Sequence, residues 1–95
     1  MKLSLSEEAI EKLKFLYVEN LRDYEDCSKE IIEDCESVLK DKSNFNLVVA
    51  CIDSAHDNLW SAERFESNMY LMEQVFEILN IRMTKDEIEK YKEKL

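Results

Sequence analysis

A chain of 95 residues with no glycine and no proline has few ways to reverse direction sharply. Average usage of about 7% and 5% would place roughly 11 of them in this length. Their absence excludes Gly-rich phosphate loops, dinucleotide fingerprints and nucleophile elbows. It also argues against two-residue β-hairpins, which rely on residues at positive φ. Helix is the element that loses nothing, since Gly and Pro are the two residues that most weaken it. With 45% apolar and 37% charged residues, the chain reads as a single all-α domain spanning 1–95, with enough apolar side chains for a core.

Apolar spacing supports helix throughout. Ser6 is placed as an N-cap, with Glu7 and Glu8 opposing the helix dipole and with Leu5 and Ile10 at the two staple positions. From there Ile10, Leu13, Tyr17, Leu21, Tyr24, Ile31, Cys35 and Val38 recur in steps of three and four, with Ser28 in the one polar gap. The pattern predicts one long helix over about 6–41, with a break at Ser28 as the alternative. The stretch 41–46 is the clearest loop, and Ser43 or Asn44 can cap a second helix. The β-branched run 47–52 continues as Val48, Ile52, Ala55, Leu59 and Ala62, a helical period, so it is not a strand. After Ala62 the phase slips to Phe65, Met69, Met72, Phe76 and Leu79, which leaves a kink or a break near Ser67 open. The first half of this second helix is apolar on several sides and is expected to be the most buried element. Asn80 closes it, and Thr84-Lys-Asp-Glu87 forms a capping box for a short last helix carrying Ile88, Tyr91 and Leu95.

The expected architecture is a long antiparallel helical hairpin plus a short C-terminal helix, a helical bundle. A helix of 35 residues would be about 52 Å long, against a radius near 13 Å for a compact domain of this size. Either the helices break into a three- to five-helix monomer, or two chains pair into a four-helix bundle. The width of apolar surface over 45–62 favours a homodimer.

Acids outnumber bases by 22 to 13, giving a net charge of −9. That balance argues against direct nucleic-acid binding and against anionic membranes, and for a protein partner with a basic surface. Cys27, Cys35 and Cys51 are odd in number and irregular in spacing, as free thiols in a cytoplasmic protein would be. The N-terminus lacks a long apolar stretch, so no signal peptide is expected, and the longest apolar run, Leu47 to Ile52, is too short to span a membrane.

Two-thirds of the charge excess sits in one segment. Residues 19–36 hold eight acids and two bases, net −6. Glu19, Asp23, Asp26, Glu30 and Glu33 are spaced by four, three, four and three residues, which lines them up on one side of the helix, away from the apolar face. A solvated outer face is the plain reading of such a line. Yet like charges at i,i+4 repel, and faces selected only for solubility mix their signs. An unmixed row of carboxylates can stand in for a row of phosphates on a basic groove. Trp60 and Tyr70, beside the apolar seam with Met69, Leu71 and Met72 nearby, are candidates for an adjoining partner patch.

In a hairpin turning near residue 43, Glu30, Glu33, Asp53 and Asp57 come level. Glu30-x-x-Glu33 resembles the carboxylate motif of the all-α nucleoside triphosphate pyrophosphohydrolases over those few residues, without that motif's paired acidic start or second acidic repeat. The resemblance implies a Mg²⁺-dependent nucleotide hydrolase; against it, all four acids point about 130° or more from the apolar centres of their helices. His56, the one histidine, is neither a metal site alone nor part of a spaced triad, and no cofactor is implied. The leading expectation is a non-catalytic acidic protein-binding module, an inhibitor or regulator occupying a basic, nucleic-acid-handling surface. In size and charge it is similar in type to the small acidic inhibitors phages make against host defences. A structural homodimer or assembly subunit is the alternative, and the hydrolase the third.

Overall fold

The computed structural model describes residues 5–95; the first four, part of the segment read for a leader, lie outside it. The chain forms α1 (Glu7–Lys40), α2 (Phe45–Ile78) and α3 (Lys85–Glu93), with no strand among the described residues. α1 and α2 pack against each other as an antiparallel hairpin, and α3 packs against α1.

Each boundary has a local cause. Ser6 accepts a hydrogen bond from the Ala9 amide at 3.1 Å and starts α1, with Glu7 and Glu8 in its first turn. The connection over 41–44 is held by the Asn44 amide donating to the Asp41 carbonyl and by Ser43 Oγ donating to the Asp41 carboxylate. Asn44 then caps α2 by accepting from the Leu47 amide at 3.1 Å. α2 ends in a Schellman turn. Asn80 takes a positive φ of 56°, its amide donates to the Glu77 carbonyl, and the Ile81 amide reaches the Phe76 carbonyl at 2.8 Å. Asparagine is the residue after glycine that best tolerates this conformation. The Thr84–Glu87 capping box is fully formed at the start of α3.

Neither long helix breaks. Ser28 begins no new segment; its hydroxyl donates back to the Tyr24 carbonyl at 2.9 Å inside a continuous helix. Ser67 is an exposed residue within unbroken α2. The expected phase slip near residue 66 has a different origin. The inward line of α2 runs Cys51, Ser54, Asn58, Ala62, Phe65, Met69, Met72 and Phe76, all buried or half-buried, in steps of three and four with no interruption. Ile52 and Leu59 do not belong to that line: they are 59% and 51% exposed. The slip arises from placing them in the core.

The first half of α2 is therefore not the most buried element. Phe45, Val49, Ile52, Leu59 and Trp60 are all exposed, because α2 is apolar on more than one side and α1 covers only one. Among the described residues the buried set is small: Val18, Cys51, Ala62, Met69, Phe76, Tyr91 and the polar Asn20. The Cα radius of gyration is 17.8 Å and the principal extents are 62 × 27 × 15 Å. A compact chain of this length would have a radius near 13 Å, so the compact multi-helix monomer is not formed.

α3 is fixed to α1 between Lys14 and Glu25. Tyr91 meets Phe15 edge to face with ring centroids 6.2 Å apart, Lys14 pairs with Glu87, and Lys92 Nζ lies 3.2 Å from Glu25. Among the described residues no helix is long and apolar enough to cross a membrane.

Candidate functional site

The acidic line is real as geometry. Asp26, Glu30 and Glu33 are exposed on α1, while Glu19 and Asp23 are half-buried. Asp23 is partly neutralised by its neighbour: Arg22 reaches one Asp23 oxygen through Nε at 3.2 Å and Nη2 at 2.9 Å. No ion pair among the described residues involves Asp26, Glu30 or Glu33. From Glu19 to Glu33 the line rises about 21 Å, and it carries five carboxylates over that length. One strand of B-DNA carries about six phosphates over the same rise.

The field of this line reaches a neighbouring thiol. Burial pushes the Cys27 pKa above its ordinary value, and the carboxylates of Glu30, Asp23 and Asp26 push it further. Asp34 counts among the eight acids of the segment but does not join the line. It is half-buried, its Oδ2 is closed off from solvent without a hydrogen-bond partner, and it borders an apolar groove of about 350 Å³. That groove lies between the helices near the connection and is lined by Cys35, Leu39, Ile52 and Ala55, among others.

Trp60 and Tyr70 are not neighbours of the acidic line. Both are exposed, at 68% and 61%, and both sit on the side of α2 turned away from α1. At 100° per residue the acidic line turns about 120° from the direction in which α1 faces α2. The exposed apolar line of α2 turns about 140° from the direction in which α2 faces α1, toward the other side of the hairpin. The two surfaces face nearly opposite ways. Of the expected aromatic and methionine patch, Met69 is buried and Met72 half-buried, leaving Trp60, Tyr70 and Leu71 outside.

His56 is exposed and serves its own helix. Trp60 Nε1 donates to His56 Nε2 at 3.1 Å, and the rings lie 6.2 Å apart at 57°. His56 Nδ1 is 3.9 Å from an Asp57 oxygen. Among the described residues no group of three or more His, Cys, Asp or Glu side chains gathers closely enough to hold a metal ion; Glu30, Glu33, Asp53 and Asp57 do not converge. All three cysteines are free: Cys27 half-buried, Cys35 exposed and Cys51 buried.

Two features escape sequence reasoning. One is the polar contact at mid-hairpin, where buried Asn20 donates to the Leu16 carbonyl at 2.8 Å and accepts from Asn68 Nδ2 at 3.2 Å. No spacing rule announces a pair 48 residues apart. The other is which apolar stripe of α2 faces outward: the width of apolar surface over 45–62 is visible in the sequence, but only the apparent phase slip signals that Ile52 and Leu59 belong to a second stripe. No protein-family model, curated protein or solved structure matches the chain.

Proposed function

We propose that this chain is a non-catalytic protein-binding module that uses the outward carboxylates of α1 to occupy a basic, nucleic-acid-handling surface of another protein, inhibiting or regulating it in the cytoplasm. One observation carries the reading: Asp26, Glu30 and Glu33 form an exposed row that no cation of the described chain neutralises. Glu19 and Asp23 extend it, at reduced exposure. Repulsion along such a row costs a few tenths of a kcal/mol per i,i+4 pair, and a basic partner would relieve it. The row's length and spacing suit a groove that otherwise tracks a phosphate strand.

The test is capture from an extract of the source organism by the immobilised chain and by its Asp26→Lys/Glu30→Lys/Glu33→Lys variant, read by mass spectrometry. These positions are exposed and in no ion pair among the described residues, so the helical signal of the variant should match that of the unmodified chain. The expected result is enrichment of nucleic-acid-binding proteins by the unmodified chain and loss of at least tenfold in the variant. Retention of the same proteins by the folded variant would refute the assignment.

A further inference from the structure

The outward line of α2 is a built surface in its own right. Phe45, Val49, Ile52, His56 and Leu59 are spaced by four, three, four and three residues and fall within about 80° of one another around the helix. That is the spacing of a helix-packing seam. Leu39 of α1 joins it across the groove it shares with Ile52. Leu39, Phe45, Val49, Ile52 and Leu59, with Trp60 beside them, are six side chains between 40% and 76% exposed.

Three quantities point to an occupant. Those six residues together expose several hundred Å², at or above the roughly 300–600 Å² of the largest patch on a typical monomer and of the same order as the roughly 800 Å² that one partner gives to a standard interface. The whole chain exposes 7449 Å², whereas its mass of 11.3 kDa corresponds to roughly 5,700 Å² for a folded monomer. From Phe45 to Leu59 the seam is also free of charge, with no Asp, Glu, Lys or Arg at its positions in a chain of net −9; Glu63, the next position in the same spacing, bounds it. A two-fold contact sets a surface against itself, so a face carrying mainly one sign of charge would repel its copy. An uncharged face suits a copy of so acidic a chain.

We infer that this seam is the contact between two copies of the chain, joining two hairpins α2 to α2 across a two-fold axis into a four-helix assembly. Each α2 then has both of its apolar sides covered. The acidic line of α1 lies on the opposite side of the hairpin, so the pair presents two such lines outward.

Sedimentation equilibrium of the full chain at micromolar concentration tests this. The expected mass is twice 11.3 kDa, with Ile52→Glu/Leu59→Glu reducing it to the single-chain mass and Asp26→Lys leaving it doubled. Where the double variant loses its helical signal, the unmodified protein decides. Trp60, the only tryptophan, should resist acrylamide quenching when associated and become several-fold more quenchable on dilution to the single chain. A single-chain mass for the unmodified protein would overturn the inference and leave the seam for a different protein. A doubled mass that survives the double substitution, or a Trp60 equally quenchable at every concentration, would overturn it by placing the contact elsewhere.

Discussion

Cys27 shows how the acidic line acts on a single side chain. Its thiol is held protonated first by partial burial and then by Glu30, Asp23 and Asp26. The thiolate is the reactive form, so a raised pKa slows alkylation at a given pH. In the unmodified protein Cys27 should label more slowly with iodoacetamide than exposed Cys35. Glu30→Lys should accelerate Cys27 several-fold while leaving Cys35 nearly unchanged. Peptide-resolved mass spectrometry over a time course reads both rates, and an unchanged Cys27 rate would mean the carboxylates do not act on it. Other residue-scale features divide by whether their signal is local. The Ser6 cap, the Asn80 terminus and the Thr84–Glu87 box depend on neighbours within four residues and are legible in the sequence. The Asn20–Asn68 bond is not, because it exists only once the hairpin register is set. Tyr17 is similar: its hydroxyl donates to Glu73 at 2.8 Å, and burial with that carboxylate raises its pKa to about 12.

At the scale of elements, helix identity and order are written in the spacing of apolar residues, but the facing of α2 is not. Periodicity reports that an apolar stripe exists; it does not say which of two stripes meets the neighbour in the same chain. Ile52 and Leu59 are larger and more apolar than Ser54 and Asn58, yet the smaller and more polar pair lies on the inward line. α3 is the element held most by polar contacts. The Glu87 pKa is lowered chiefly by the hydrogen bond from Lys14, with further lowering from the Lys14 charge and from Thr84, against an opposing effect of burial. A carboxyl whose pKa is lower folded than unfolded adds stability above its ordinary value and loses it as pH falls through the lowered one. Glu87→Gln should therefore cost about 1 kcal/mol near neutral pH, the scale of a half-exposed pair, or several degrees of thermal midpoint. The gap between the two proteins should close on acidification. A gap that stays constant from neutral to acidic pH would show that the Lys14–Glu87 pair does not carry it.

For the whole molecule, length decides the form. Two 34-residue helices without a break cannot wrap around a centre, so the chain stays extended and most apolar residues of α2's far side remain outside. The two surfaces left uncovered have opposite character, carboxylate on α1 and apolar on α2, and they face away from each other. Under the proposed readings each surface has its own partner chemistry: positive charge for one, an uncharged seam for the other. From the sequence, Trp60 and Tyr70 are expected to adjoin the acidic line; the hairpin geometry separates them from it, because each set lies on the outer side of its own helix.

The measurement that bears most directly on the proposed role is competition between duplex DNA and the immobilised chain for a captured nucleic-acid-binding protein. Occupation of a phosphate-binding groove by the α1 carboxylates predicts mutual exclusion, with DNA releasing the captured protein and the Asp26→Lys/Glu30→Lys/Glu33→Lys variant unable to displace DNA. A stable ternary assembly of chain, captured protein and DNA would contradict it.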